Sequence, residues 1–106
     1  MSDFGRTLTS NGQGSDHGWG GHYFALGGAV TGGKFYGGAG ANQEFPIVGL
    51  TSPNSVGQGR LLPTTSVEEY GLTFAKWMGA NTTSEYTRIF PKIGRFARQN
   101  GMPFLV

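Results

Sequence analysis

The residues best suited to chemistry lie near the start of the chain, in the stretch GSDHGWGGHYF at residues 14–24. Asp16 and His17 are adjacent, and His22 follows a few residues later. A carboxylate and an imidazole together suit zinc or manganese, and the flanking glycines let the backbone bend enough for adjacent ligands to converge. The alternative is an Asx-turn at Asp16 with His17 in solvent, and composition alone favours that alternative.

A second polar group opens the chain, in SDFGRT at residues 2–7. Asp3 and Arg6 form a local ion pair in one interpretation. In the other, Asp3 is a metal ligand at the carboxyl end of a strand, where α/β sheets place their sites. The residues alone leave both interpretations open.

The stretch GAVTGGKF at residues 28–35 has the glycine and lysine spacing of a phosphate-binding P-loop. A P-loop needs Ser or Thr after the lysine to hold magnesium, and here Phe35 follows Lys34. It must also open a helix, whereas YGGAG comes next. We therefore reject the P-loop and expect a turn at Thr31–Gly33 followed by a brief strand at Lys34–Tyr36.

Composition sets further bounds on function. The 106 residues include eight Lys and Arg against six Asp and Glu, a net charge of +2. The basic cluster lies among apolar residues, which favours a solvated face over nucleic-acid binding; its members are Arg88, Lys92, Arg95 and Arg98. The absence of cysteine excludes disulfides and thiolate metal sites. No apolar run approaches a membrane span, and no signal-peptide pattern is present.

Glycine is the outlier, because its 20 residues make up about a fifth of the chain against a usual ~7%. Aromatic residues are interspersed among these glycines, which argues against a disordered linker. We therefore expect the glycines to serve tight turns and close backbone approach.

Two capping boxes predict two helices. Ser66 with Glu69 begins a helix from about Val67 to Met78, and Thr82–Glu85 begins a shorter one that ends at Phe90–Pro91. The longer helix carries one apolar face, which we expect to be buried. That face consists of Val67, Tyr70, Phe74 and Met78.

The rest of the chain gives weaker signals. Residues 8–21 are typical of an irregular loop, and the apolar run flanked by glycines at residues 22–30 predicts a short buried strand. The tail after the second helix is expected to be irregular and held by Ile93 and Phe96. No internal repeat is visible.

Taken together, the segments MSDFGRT, NGQGSDHGWGGHYFALGGAVTGGKFYG, GQGRLLPTTSVEEYGLTFAKWMG and IFPKIGRF resemble, in this order, the C-terminal part of a bacterial family. It is the domain-of-unknown-function family fifteen-oh-one, whose members resemble the alkaline phosphatase and sulfatase superfamily. The resemblance covers nearly all of the chain. Members are several times longer and typically exported by the twin-arginine route, with the nucleophile region and first metal ligands upstream. Residues 1–106 are thus expected to form a single partial domain, a fragment of such a protein.

The resemblance implies an α/β fold, the C-terminal part of an alkaline-phosphatase-like doubly wound sheet with glycine-rich loops and one main helix. In the superfamily one strand ends in an Asp-His-Gly turn that supplies two metal ligands, and a later loop supplies a histidine. Either SDHG is that turn, or SDFG occupies it, with Phe4 in place of the usual ligand histidine and His17 as the later one. We prefer the second placement, because Met1–Asp3 ends a predicted strand and HYFALGG follows His17 like the superfamily's next strand.

The first functional hypothesis is an exported or periplasmic metal-dependent hydrolase of small phosphate or sulfate esters. The resemblance implies a divalent metal, which would be zinc, manganese or calcium. Its ligands would be Asp3, Asp16, His17 and, as the weaker candidate, His22. Arg6 would bind an anionic oxygen of the ester, and the fragment alone is expected to be inactive.

The second hypothesis is a catalytically silent relative that keeps the fold for a binding or envelope-assembly role. The departure at Phe4 favours it, because it removes one expected ligand. The substrate and the oligomeric state are left open by the sequence.

Overall fold

The structure, a computed structural model, describes residues 4–38 and 45–106. In chain order its regular elements are β1 (Arg6–Ser10), β2 (Ser15–His17), α1 (Val67–Trp77), α2 (Thr83–Ile89) and a short 3-10 helix (Ile93–Arg95). The chain divides into two compact units. We call them the hairpin unit, Met1–Phe24 with Phe45–Thr64, and the helical unit, Ala25–Glu44 with Thr65–Val106. Neither described helix is long and apolar enough to cross a membrane.

The hairpin unit contains a two-stranded antiparallel sheet formed by β1 and β2. Arg6 lies opposite His17 and Ser10 lies opposite Ser15, with an irregularity between the two pairs that leaves extra residues on β1. Such a bulge bends a strand and changes the direction of its side chains. Thr7, the residue after the first pair, is the buried residue of β1.

The two strands are joined by a tight turn at residues 11–14. The amide of Asn11 donates to the carbonyl of Gly14 at 2.8 Å, and Gly12 adopts a φ of 93° that favours glycine. The predicted irregular loop over residues 8–21 is therefore wrong where the two strands form, at residues 8–10 and 15–17, and right at residues 18–21. An Asn-Gly pair between two short polar strands is a hairpin signal, and it carries more weight here than the polar composition.

Several glycines of the hairpin unit allow two backbone segments to touch. The amide of Gly18 donates to the carbonyl of Gly5 at 2.7 Å. A Cβ atom on Gly5 would overlap the carbonyl oxygen of Gly20, so no larger residue fits without moving the backbone. The expectation that the glycines serve close backbone approach is confirmed at these positions.

The strand predicted over residues 22–30 is absent from the structure, as is the one over Lys34–Tyr36. In the helical unit, Val30 instead forms an isolated antiparallel bridge with Leu105 in the tail. Two adjacent glycines, the first of them Gly27, interrupt the apolar run just before this bridge. Glycine in the interior of a strand weakens it. An apolar composition was therefore not enough to make a strand here.

The main helix and its capping box are confirmed. α1 spans Val67–Trp77, and Met78 is its C-terminal cap. The Ser66 hydroxyl accepts a hydrogen bond from the Glu69 amide at 3.1 Å, and a Glu69 carboxylate oxygen accepts one from the Ser66 amide at 2.7 Å. Two otherwise unpaired amides at the start of the helix are thereby satisfied.

The buried face of α1 differs from the predicted one. Its buried residues are Glu69, Leu72 and Thr73. Val67 is 80% exposed and Met78 is 79% exposed, so the predicted buried face is wrong at both ends. The reason is the position of the tail, since the amide of Met102 donates to the Thr73 hydroxyl at 2.7 Å and draws that side of the helix inward. The two aromatic residues of the predicted face, Tyr70 and Phe74, are half-buried.

The second helix is confirmed as well. The Thr82 hydroxyl caps α2 by accepting from the Glu85 amide at 3.3 Å, and the helix ends at the cap residue Phe90. Ile93 is buried, as expected, while Phe96 is half-buried. The core of the helical unit joins both helices to the tail and consists of Leu72, Tyr86 and Ile93, with Ala75, Ala80 and Phe90 packed against it.

The Glu69 carboxylate links the start of α1 to the tail. It is only 3% exposed, and its second oxygen accepts from the Arg98 amide at 3.0 Å and lies 3.6 Å from the Arg98 guanidinium. Burial alone would raise the pKa of this carboxyl. The hydrogen bonds from the Ser66 and Arg98 amides, together with the Arg98 charge, outweigh burial and hold the pKa below its usual range.

We expect Glu69→Gln to lower the free energy of unfolding by about 1–3 kcal/mol at neutral pH, because the half-buried amide and guanidinium of Arg98 lose their charged acceptor. A depressed pKa stabilises the fold above the usual carboxyl range, so the advantage of the unchanged chain over the variant should shrink as pH falls below about 4.3. Urea unfolding followed by circular dichroism between neutral and acid pH measures both effects.

The control is Glu68→Gln, which neutralises the neighbouring carboxylate. The Glu68 side chain makes no hydrogen bond within the described residues, and its replacement should change stability by less than about 0.5 kcal/mol. Equal losses in the two variants would contradict a special role for Glu69.

Candidate functional site

The hairpin brings two of the predicted site residues together. Arg6 and His17 face each other across β1 and β2, and both are exposed. The Arg6 guanidinium donates through Nε to the Ser15 hydroxyl at 3.0 Å and through Nη2 to the Ser15 carbonyl. These bonds fix the plane of the guanidinium beside β2.

Asp16 is held by two residues that the sequence interpretation missed. Its amide donates to the hydroxyl of Thr7 at 3.0 Å, and one carboxylate oxygen accepts from the side-chain amide of Asn11 at 2.8 Å. Thr7 is 5% exposed and donates in turn to the Thr9 carbonyl at 3.0 Å. The Asn-Gly pair at the turn was the signal that could have found them, because a hairpin there places Thr7 and Asn11 beside Asp16.

Asp16 and His17 lie within β2 and not in a loop before a strand, so that prediction is wrong. Consecutive residues of a strand project to opposite faces, which prevents the convergence expected of a flexible loop. The contacts of the two side chains are consistent with opposite faces. The Asp16 carboxylate accepts from the Asn11 side chain, whereas the His17 ring packs against Phe4, with ring centroids 4.5 Å apart. Asp3, the predicted neighbour of His17, lies outside the described residues.

His22, the weaker candidate ligand, has a different environment. Its imidazole stacks on the ring of Phe45, with centroids 4.6 Å apart and an interplanar angle of 20°. The His22 side chain is exposed at the surface of the hairpin unit. The stacking restricts the orientation of the ring without adding a second polar ligand.

The described residues do not by themselves fit a divalent metal. A structural zinc site takes four ligands and a catalytic one takes three with an open position. Within residues 4–38 and 45–106, no group of three or more His, Cys, Asp or Glu side chains is close enough to share an ion. Any complete metal site would have to draw on groups beyond these residues.

Two pockets of the helical unit are lined by residues other than the predicted ligands. One, of about 340 Å³, is lined by Tyr36, Gly37, Gly38 and residues 97–103. Its cation, Arg98, donates to the Gly38 carbonyl at 2.8 Å and pairs with Glu69, so its charge is already compensated. A second, of about 470 Å³, lies beside Trp77 and the tail.

Comparison with known sequences identifies the family. Residues 1–74 match the family described as "Protein of unknown function (DUF1501)". The chain belongs to the DUF1501 family. No curated protein and no solved structure matches the chain. The match covers the whole of β1 and β2 and most of α1. Arg6 and His17 therefore both lie in the part of the chain that matches the DUF1501 family.

Thr7→Val in the DUF1501 chain should destabilise the hairpin by about 1–2 kcal/mol, because a buried side chain of the same shape loses two hydrogen bonds. Amide exchange at Asp16 should accelerate, since that amide loses its acceptor. Hydrogen exchange followed by NMR measures this directly. Thr51→Val is the matched control, because Thr51 is exposed and makes no side-chain hydrogen bond within the described residues. An unchanged Asp16 amide in Thr7→Val would contradict the assignment.

Proposed function

We propose that the DUF1501 chain is part of an alkaline-phosphatase-like α/β protein that binds, and in its complete form hydrolyses, phosphate or sulfate esters. The observation that carries the proposal is the pairing of Arg6 with His17 across the hairpin, with both side chains exposed. The family resemblance supplies the fold, the ester substrate class and the exported or periplasmic location. The chain contributes one side of the site.

The chemistry of the pair suits an oxyanion. Arginine offers a planar fork of donors that matches phosphate or sulfate, and the bonds to Ser15 orient that fork. Within the described residues the Nη1 group of Arg6 has no hydrogen-bond partner. Directly opposed residues of two strands have Cβ atoms about 5 Å apart, so one small anion would contact both Arg6 and His17.

The hairpin unit also exposes apolar side chains that a complete domain would cover. They include Leu8, Phe24, Ile47 and Leu50. Single exposed apolar residues are normal, but this many on one small unit favours further packing partners. The same partners would bring the groups that complete the site, and the zinc, manganese or calcium that the resemblance implies would be held jointly with them.

The second candidate is a catalytically silent relative with a binding or envelope-assembly role. One observation favours it, namely that the Phe4 ring packs against His17 at the position where the superfamily's usual pattern has a ligand histidine. In that case Arg6 would still bind an anionic group, but the ester bond would not be cleaved.

Inorganic phosphate should perturb the NMR signals of Arg6 and His17 before any others in the chain. Arg6→Ala should abolish this response, because the oriented guanidinium supplies most of the attraction. The matched control is Arg60→Ala in the same unit, since the Arg60 side chain donates to Gln58 and is expected to have no part in the site. An equal loss of the NMR response in both variants would mean that phosphate binding depends only on net charge, which contradicts the proposal.

Zinc and manganese should bind the unchanged chain weakly, and a chromogenic phosphate ester should not be hydrolysed, because the described residues lack a full ligand set. Phe4→His should raise zinc affinity by about tenfold or more, since a second imidazole would lie beside His17. Calorimetric titration measures both constants. Adding His17→Ala to Phe4→His should remove the gain.

Two outcomes would contradict these expectations. Tight stoichiometric zinc binding or ester turnover by the unchanged chain would show that the site is self-contained. No gain in Phe4→His would show that the site does not hold a metal between positions 4 and 17, and would favour the silent relative.

A further inference from the structure

We propose that Asn11 is a site of spontaneous deamidation, and that the carboxylate formed there faces Asp16. Asn11 and the following Gly12 lie at the exposed tip of the hairpin. A Cβ atom placed on Gly12 would meet no other atom within 4 Å, so the approach to this peptide unit is open. Deamidation at Asn11 would occur whether or not the chain binds an ester.

The reaction needs only water. The backbone nitrogen of Gly12 loses its proton to solvent and attacks the side-chain carbonyl carbon of Asn11, forming a carbon–nitrogen bond. The bond from that carbon to the side-chain amide nitrogen breaks, and this nitrogen leaves as ammonia with a proton taken from solvent. The five-membered succinimide is then opened by water to give an aspartate or isoaspartate. No oxidant or reductant takes part, and a following glycine helps because no side chain hinders the attack.

The hydrogen bonds of Asn11 favour the attack. Its side-chain carbonyl accepts from the amide of Gln13 at 2.9 Å, which polarises the carbon that is attacked. The leaving amide group donates to the Asp16 carboxylate at 2.8 Å. The amide of Gly12 donates to the Ser10 hydroxyl at 3.0 Å, an exposed contact that water replaces at little cost.

A second Asn-Gly pair serves as an internal comparison. Gly101 is half-buried, its amide donates to the Arg98 carbonyl at 2.9 Å, and a Cβ atom there would lie 3.1 Å from Thr73. The next amide, that of Met102, is tied to the buried Thr73 hydroxyl. Asn100 therefore reacts only after the tail separates from α1, whereas Asn11 needs only the hairpin tip to open.

The product changes the surroundings of Asp16. The side-chain amide of Asn11 now donates to Asp16, and an aspartate in its place would lose that donor and bring two negative charges together. Like charges at this distance repel, and the repulsion is screened by salt because both groups are exposed. Deamidation would thus weaken the end of β2 that carries Asp16 and His17.

The intact chain, incubated at neutral and mildly alkaline pH and analysed by peptide mass spectrometry, tests the site. Conversion at Asn11 should exceed conversion at Asn100 by about tenfold or more, because local opening at the tip is easier than separation of the tail. In urea the two rates should become similar, since both pairs share the same dipeptide. Equal rates in the folded chain, or faster conversion at Asn100, would overturn the proposal.

A variant tests the consequence for Asp16. Asn11→Asp should accelerate hydrogen exchange of the Asp16 amide several-fold at low salt, with the effect reduced at high salt. Asn100→Asp, which adds the same charge elsewhere, should leave that amide unchanged. If Asn11→Asp leaves the exchange rate of Asp16 unchanged at low salt, the proposed effect on the hairpin is wrong.

Discussion

The two oxygens of the Glu69 carboxylate serve two different segments of the helical unit. One completes the capping box with Ser66, and the other accepts from the amide of Arg98, 29 residues further along the chain. A helix cap contributes about 1 kcal/mol, and that contribution is local to the first turn. Here the carboxylate is buried, so its charge must be satisfied fully, and that requirement fixes the tail against α1. The buried contact between Thr73 and Met102 and the pairing of Val30 with Leu105 depend on the same placement of the tail.

The parts of this fold that could be predicted from sequence are those whose signals are local. Both helices begin at capping boxes, in which the interacting residues lie three positions apart, and both were predicted correctly. The buried face of α1 could not be derived in the same way, because it depends on where the tail packs. Val67 and Met78 continue an apolar pattern, yet the contact with Met102 turns Leu72 and Thr73 inward instead.

The hairpin shows how a wrong element changes the interpretation of a site. In a flexible loop, the adjacent side chains of Asp16 and His17 could converge on one metal ion. In the strand β2 they project to opposite faces. The residue that joins His17 at the surface is therefore Arg6, its partner across the sheet, and no spacing rule within SDHG indicates it. The sequence predicted Asp16 and His17 as ligands of one metal and Arg6 as a separate anion-binding residue. Only the register of the two strands brings two of them together.

The same register separates residues that the fold requires from residues that it does not explain. Gly5, Gly18 and Gly20 allow backbone segments to touch, and Thr7 holds the strands together from a buried position. The exposed side chains of Asp16 and His17 do not hold the fold together in this way. Asp16 contacts the exposed Asn11, and His17 contacts the exposed Phe4. Arg6 is intermediate, because its bonds to Ser15 support the hairpin while its Nη1 group has no hydrogen-bond partner among the described residues. Physical necessity accounts for the glycines of this motif, whereas the described fold places no such requirement on its exposed charged and imidazole groups.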